Sequence, residues 1–580
     1  MSSFPFPTGD SPQAPAPGRE KAPGAGPAAV GGLVLSPSGS PVSLLPDLVT
    51  ECTHPEAHAS SLSLRRKWVI LSVIFLVQTS MNLNTSLYAN GQAGMAEEFG
   101  VSHQLTVAGA GVFLVTYAFG CELWAPWSED IGRKWVLQIS LFLVNICCLP
   151  VALPPQGMTS IIVARAFGGL FSAGGSVTLG IVADLFGTEA QEHPLAFIVM
   201  SSVGGSIIGP IMGGYVETYM TWRWTIWFQF IVGVTVQLLH LLLVPETRST
   251  VLLNKQAKRL RRNGRSPNAR GPTEHMTWRQ YAMPSEMLAI WFRPFKMFVT
   301  EPIVLVLSLL SGVSDAIIFM QIQSFGLVFG KWSFSTIEGG LSFVAIGIGY
   351  LLAYLFYIPV ISRNRKLRAR EPNSEYAQFE ARLWWLLYTA PCLPIGLLIF
   401  AWGATTAVHW SLCMFGCVLI GIANWTIYMT TIDYMVAAYG PYSASATGGN
   451  GFARDFLAGC LTFASKPYYD AFRGDYGVQS ANTALAAISL VLVVATYVIF
   501  VRGPQLRKRS VFAQSLLTTG VAPLGTAGHA AFAANPAVAT NPVVVANVAV
   551  VASPAVVADR ELMANLAAVA HSTMATSPAA

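Results

Sequence analysis

The amino-acid sequence predicts an all-α integral membrane protein with twelve transmembrane helices in two six-helix bundles, and three observations carry that prediction. Hydrophobic residues make up 53% of the 580 and charged residues 11%, with a mean hydropathy of +0.51. A soluble domain carries roughly twice that share of charge. The apolar residues gather into twelve runs, each near the ~20 residues a helix needs to cross a hydrocarbon core about 30 Å thick. One long basic stretch, 245–298, divides these runs six and six.

In chain order, residues 1–64 are rich in Pro, Ala, Gly and Ser and read as a disordered tail. No cleavable signal pattern precedes the first run, which is expected to act as the insertion signal. The runs of the first half lie at about 67–88, 106–126, 134–153, 159–183, 195–217 and 222–244. Those of the second half lie at about 299–322, 337–361, 383–403, 409–433, 445–466 and 481–502. All are too long for barrel strands, and each helix satisfies its own backbone hydrogen bonds. This sets domains at 65–244 and 299–503, joined by the 245–298 linker, in which LLNKQAKRLRR is expected to lie along the membrane surface as an amphipathic helix. Residues 504–580 form a low-complexity tail, and its apolar run near 543–557 is too short to span and is broken by Pro554.

The net charge of +6 is unevenly placed. The linker alone holds eleven Lys/Arg against three Asp/Glu. Further basic groups stand at Arg65–Lys67, at Arg133 and Lys134, from Arg363 to Arg370, and from Arg507 to Arg509. With alternating spans, all of these fall on one side, whereas loops 89–105 and 154–158 contain no Lys or Arg. The positive-inside rule puts both termini in the cytoplasm and reads the charge as a topology signal rather than a nucleic-acid surface. Anionic membrane lipids are secondary partners of these basic loops. The eight cysteines show no metal-ligand spacing and are expected to be small buried hydrophobes.

Several polar residues stand at membrane depth, where they are expensive and need a partner or an aqueous cavity. Asp315 is central in the seventh run, Glu122 lies in the inner part of the second, and Asp433 ends the tenth at the interface, where a solvated carboxylate costs little. A carboxyl taken out of water holds its proton to higher pH, which makes such acids candidate proton carriers, Asp315 first. Arg165 lies in the fourth run and either faces a cavity or snorkels to the interface. Asn82, Asn84, Thr85 and Tyr88 stand on the first helix, and Asn450 and Arg454, four apart, share one face of the eleventh. For the asparagines, helix–helix glue is the alternative reading. In the fifth run Gly205, Gly209, Pro210, Gly213 and Gly214 strip a helix face to backbone, while the proline removes a hydrogen bond and bends the helix. That pattern is either a pivot or a tight helix crossing. After the second run, Trp124, Pro126, Ser128, Glu129, Asp130, Gly132, Arg133 and Lys134 form a charged turn in which Glu129 or Asp130 can pair with Arg133.

These motifs resemble the major facilitator superfamily, in its fungal twelve-helix drug:proton antiporter branch that includes polyamine and multidrug exporters. The turn is similar to the branch's W-A-P-x-S-E-x-x-G-R-[RK] signature, and G-x-x-x-G-P-x-x-G-G to the fifth-helix antiporter signature. Arg165 and Gly169 match R-x-x-Q-G, with Gly168 where the family has glutamine. Asn450 and Arg454 match an N-x-x-x-R on a cavity-facing helix. The likeness covers about 65–515 and departs at Asp315, where relatives are tyrosine-rich, and at Ala437, where they commonly place aspartate. It implies the major facilitator fold, with alternating access about a midplane site and a proton gradient in place of any cofactor. The helix-five bend would seal the path against proton leak, the turn would latch the cytoplasmic side, and Asp315 with Arg165 would couple protons to cargo.

No phosphate-cradling loop and no nucleophile–base arrangement appears, which argues against an ATP-driven pump and against an enzyme. The sequence reading is therefore a monomeric, proton-coupled plasma-membrane exporter of a small organic molecule: a secondary metabolite, organic acid, glycolipid, drug or polyamine. The rival reading is a proton-coupled importer or facilitator. No metal and no nucleic-acid partner is expected.

Overall fold

The computed structural model describes residues 58–510, apart from 154–156, 173, 188–189, 265, 273, 275–283, 440–441, 473 and 475, together with a two-residue antiparallel pairing of β1 (Val34–Leu35) with β2 (Pro41–Val42). The two expected tails fall almost wholly outside these residues. Everything else is helical. The first half contains α1 (Leu64–Asn90), α2 (Gln92–Phe99), α3 (His103–Asp130), α4 (Arg133–Ala152), α5 (Met158–Leu170), α6 (Gly174–Leu185), α7 (Glu192–Tyr219) and α8 (Arg223–Leu243). The linker contains α9 (Ser249–Arg262) and α10 (Pro284–Thr300). The second half contains α11 (Pro302–Phe329), α12 (Thr336–Leu341), α13 (Val344–Arg370), α14 (Glu375–Gln378), α15 (Glu380–Thr389), α16 (Cys392–Gly403), α17 (Ser411–Tyr439), α18 (Ser443–Ala471) and α19 (Gly477–Arg509).

Among the described residues, eleven helices or helix pairs are long and apolar enough to cross a membrane, and α5–α6 and α15–α16 each make one broken span. The eleventh run, the one left over, is present as α18, 29 residues long, but too polar to meet that criterion. Its Asn450, Arg454 and Asp455 are buried inside the protein, so its polarity marks an inward-facing helix. Several helices outrun their apolar cores at the end that bears the basic loops, called here the basic end. There α19 continues to Arg509, and Arg507 binds Glu380 and the Tyr434 hydroxyl. The linker helix α9 forms where an amphipathic helix is expected, with Leu253 and Ala257 buried on Ala269 from its own segment. Beyond it, Arg261 pairs with Glu274, whose carboxyl is held down at about 2, chiefly by that hydrogen bond.

The glycine run of α7 sets how closely the helices pack. A Cβ on Gly205 would lie 2.7 Å from the Asn82 side chain and from the Thr79 carbonyl, and one on Gly209 would strike the Ser86 side chain. The Ser86 hydroxyl uses this proximity to donate to the Gly205 carbonyl at 2.9 Å. On another side of α7, Gly214 lies against Thr336, and the Pro210 carbonyl lies against Gly340 of α12. Pro210 sits inside a helix that runs unbroken from Glu192 to Tyr219. Its aliphatic face (Leu195, Val199, Val203, Ile207) joins the large core of the second half, whereas α1, α3, α4, α6 and α8 bury a separate core.

Gly209→Ala is expected to cost ~1–3 kcal/mol through overpacking against Ser86. Gly204→Ala on the same helix meets no atom within 4 Å and should be neutral or mildly stabilising. Thermal unfolding of the two purified variants checks this contrast. The Arg261–Glu274 pair stabilises the linker at pH above the ordinary carboxylate value, and its contribution is lost as pH falls from there to about 2. Protection of the α9 amides, taken relative to their intrinsic exchange rates at each pH, should fall over that window in the wild type and stay constant in Glu274→Gln.

Candidate transport site and gates

Three charged constellations lie along the seam between the halves or just inside it. The first surrounds Arg454, 3% exposed and near the middle of α18. Its Nη2 lies 3.2 Å from the neighbouring Asp455, and its Nε lies 3.8 Å from Asp315 of α11, itself 7% exposed. Its Nη1 donates to the Ser202 hydroxyl of α7 at 3.1 Å, and its guanidinium stacks 4.1 Å from the Tyr428 ring centre. Gln78 of α1 also donates to Ser202 at 3.3 Å and accepts from Thr178 of α6 at 3.4 Å. Polar contacts thus run from α6 through α1 and α7 to α18 and α11, crossing from one half to the other near the middle of these helices. Asn424 donates to Ser314 next to Asp315, and Asn450 reaches the Met435 sulfur at 3.8 Å with its amide oxygen unpartnered.

Glu122 completes this constellation. It is buried on α3, where a Cβ on Gly448 of α18 would stand 2.8 Å from both of its oxygens. Among the described residues no cation lies within ion-pair distance of it, and the charge acting on it is that of Asp455, another acid. Two buried carboxylates, Asp315 and Asp455, therefore share one guanidinium, and a third, Glu122, is buried beside them without a cation, where an unpaired charge is costly. The criterion of acids inside spans picks out Glu122, Asp315 and Asp433 but passes over Asp455, which meets it equally well.

The second constellation belongs to Arg165, 3% exposed on α5. Its Nη1 donates to the Asn84 side-chain oxygen at 2.6 Å and the Asn84 carbonyl at 3.1 Å, and its Nε donates to the Gly109 carbonyl at 3.4 Å. The rings of Tyr88 and Phe113 flank it at 4.4 and 4.1 Å. It does not snorkel. No carboxylate pairs with it among the described residues, and its Nη2 has no partner. Gly168, where the resemblance predicts glutamine, leaves ordinary contact distance to Phe113 and Cys147. Arg165 and Asp315 are not linked by any described hydrogen bond or ion pair, while the Asn82 amide donates to the Gln78 carbonyl of its own helix.

The third constellation lies at the basic end. In the predicted turn Gly132 adopts φ +114°, and a side chain there would strike Glu246. Glu246 accepts from the backbone N–H groups of Arg133, Lys134, Thr247 and Arg248, closing the start of α4 with a carboxylate. Arg133 donates to Asp184 at 3.1 Å and to Ser128 at 2.6 Å, while Glu129 stands farther off at 3.7 Å. Asp184, not an acid of the turn, is the close partner; the Asp130 side chain lies outside the described residues. Trp124 donates to the Leu170 carbonyl at 3.1 Å, and Lys134 donates to the Leu241 carbonyl. All these bonds stay within the first half and the start of the linker, and Trp127 stands edge-on to Trp291 of α10 farther along the linker.

The ion pairs that do cross the seam are made by Glu192, at the start of α7. It binds Arg365 (2.8 Å) and Arg368 of α13, and Arg382 of α15 (3.5 Å), which in turn binds Asp433 of α17. Asp433, expected to be solvated, is 4% exposed. The packing of α13, α15 and α17 closes over it, and Arg382 replaces water as its partner. Arg133–Asp184 and Arg382–Asp433 are both 51 residues apart, one pair in each half.

A family model described as Major Facilitator Superfamily matches residues 70–463. The chain belongs to the Major Facilitator Superfamily. Its relatives include the MFS-type transporter acdC of Aspergillus candidus, 30% identical over 78% of this chain and 88% of that one. The transporter paaT of Penicillium rubens is 29% identical over 77% and 80%, and the efflux pump bik6 of Gibberella fujikuroi is 29% identical over 74% and 87%. Among solved structures, the proton:xylose symporter XylE superposes with a TM-score of 0.54 at 13% identity, over 75% of this chain and 96% of that one, a likeness of fold alone. This Major Facilitator Superfamily member is a multi-pass membrane transporter rather than an enzyme.

Removing the Glu192 charge leaves Arg365, Arg368 and Arg382 without the carboxylate they share across the seam. Glu192→Gln is therefore expected to favour opening at the basic end, and cysteine accessibility of residues lining α7 and α13 should rise about tenfold for a ~1.4 kcal/mol shift. Unchanged accessibility would remove Glu192 from the gate.

Proposed function

We propose that the chain is a proton-coupled exporter of a small organic molecule working by alternating access, with Asp315, Asp455, Glu122 and Arg454 as its coupling centre. One observation carries the reading: three carboxylates are buried near a single guanidinium astride the seam, two of them paired with it and the third, Glu122, without a cation among the described residues. Full ionisation would leave two uncompensated negative charges, so the centre is stable only when protons or a cation supply the balance. Opening the seam to either side changes the water and partners around these groups, and that is the differential contact a coupled cycle needs. Proton energy suffices, since one charge crossing 100 mV yields ~2.3 kcal/mol before any pH contribution. Arg454 is already held by two acids and Ser202, which leaves the orphaned nitrogen of Arg165, beside Asn84, to meet an oxygen of the cargo. Export rather than uptake is supported by the packing of the Gly205–Gly214 stretch and by relatives that include an efflux pump. The basic loops favour cytoplasmic termini in the plasma membrane, and the chain is taken to act as a monomer.

Asp315→Asn should abolish transport driven by an imposed pH gradient in proteoliposomes while leaving membrane insertion intact, whereas coupling at wild-type level would exclude Asp315. Metabolite profiles of medium and cells, with and without the gene, test direction and cargo together. On loss of the gene, a compound that disappears from the medium and accumulates in cells marks a dedicated exporter, and one that accumulates in the medium marks an importer.

A further inference from the structure

Away from the charged centre, at the end opposite the basic loops, lies a cavity of about 300 Å³ between the halves. The first half contributes Asn90, from the end of α1, and Pro210 of α7; the second contributes α11, α12 and the turn that joins them. Four of its walls are phenyl rings. Phe325 and Phe343 lie 4.2 Å apart, Phe329 and Phe334 stack at 5.3 Å, and Phe325 meets Phe329 edge-on at 5.2 Å. No charged side chain is among its lining residues. Its polar groups are amides and hydroxyls, chiefly Asn90 and Gln323, and the Asn90 amide oxygen is buried without a donor.

We infer that this cavity is a second binding site, separate from the coupling centre, for a neutral aromatic molecule or the neutral aromatic part of a larger one. Its volume stands at the lower limit of small-molecule sites, and its lining of rings with a few amides is of the kind that holds flat apolar ligands and orients them. Aromatic faces and edges offer such a ligand offset-stacked and edge-on contacts. A charged ligand would lose its hydration and gain no counter-ion there. Because α7 and α12 meet through Pro210 and Gly340 at this cavity, rocking of the halves changes its shape, which suits a station that fills and empties once per cycle. The site stands on binding alone and does not depend on the direction or coupling of transport.

Two glycines of the wall make the test possible. A Cβ on Gly326 of α11 or Gly339 of α12 would meet nothing within 4 Å, and both glycines line the cavity, so Gly326→Leu and Gly339→Leu are the substitutions that add volume there. The full chain in lipid nanodiscs would be photolabelled with benzophenone, and the labelled peptides mapped by mass spectrometry with and without excess biphenyl. The expected result is saturable, biphenyl-competed label within 322–343, reduced about tenfold or more in either leucine variant, a loss of ~1.4 kcal/mol in binding. Asp315→Asn should keep this label in full. Labelling that neither saturates nor responds to either leucine variant overturns the site. Equal loss in Asp315→Asn overturns its separateness and assigns the probe to the coupling centre. Thermal melting of each variant in the same nanodiscs identifies the folded proteins on which the comparison is made, and one folded leucine variant is enough.

Discussion

A charge in hydrocarbon must be neutralised by the protein itself, and the placement of ionic groups in this transporter follows from that constraint. The interior carries Arg165, Arg454, Asp315, Asp455, Glu122, Asp433 and Glu192, all largely hidden from solvent. Two of them, Glu192 and Arg454, find partners across the boundary between the halves. Holding these charges therefore holds the halves together, and separating the halves exposes or unpairs charge. The energetic cost of burial is thereby tied to the conformational step that a transporter has to control. A structure built only of aliphatic contacts at this seam would have no such dependence on charge.

The two halves use the same local device differently. Each has an arginine at the start of a span bound to an aspartate near the end of the next, with the same separation along the chain. In the first half the pair is sealed by Glu246, Ser128 and Arg248 and stays local. In the second half it is joined by Glu192 from the other half. The signature turn thus stiffens its own bundle, and the crossing contact at this end belongs to the counterpart pair in the second bundle.

Much of this architecture is legible in the residues. Run length and hydropathy give the spans, including α18, whose polarity reflects inward-facing Asn450, Arg454 and Asp455. The burial of Arg165 and Asp315 follows from their depth in the runs. What a linear pattern gives is depth along each helix; it does not give the direction a side chain takes around the axis or its partner on another helix. Asp433 looked solvated because it ends an apolar run, yet Arg382, 51 residues earlier, covers it. Gln78 and Ser202 are ordinary polar residues in sequence and become bridging residues only once α1, α7 and α18 are assembled. Glu192 stands at a run boundary, where an acid usually needs no partner, and its three arginines lie in the other half of the chain.

The two faces of α7 differ as bearing surfaces. Toward α1 it offers glycines, and the Ser86 hydroxyl is bonded to its backbone, so the two helices are keyed together like a tongue in a groove. Toward the second half it offers Leu195, Val199, Val203 and Ile207, smooth branched surfaces for most of its length. Sliding over such surfaces exchanges one set of weak dispersion contacts for another of similar worth, whereas moving against α1 would have to break a hydrogen bond and open voids. The α1–α7 pair should therefore travel as one rigid blade. The aliphatic face of α7 is then the lubricated joint, and Glu192 is the catch at one end of that joint.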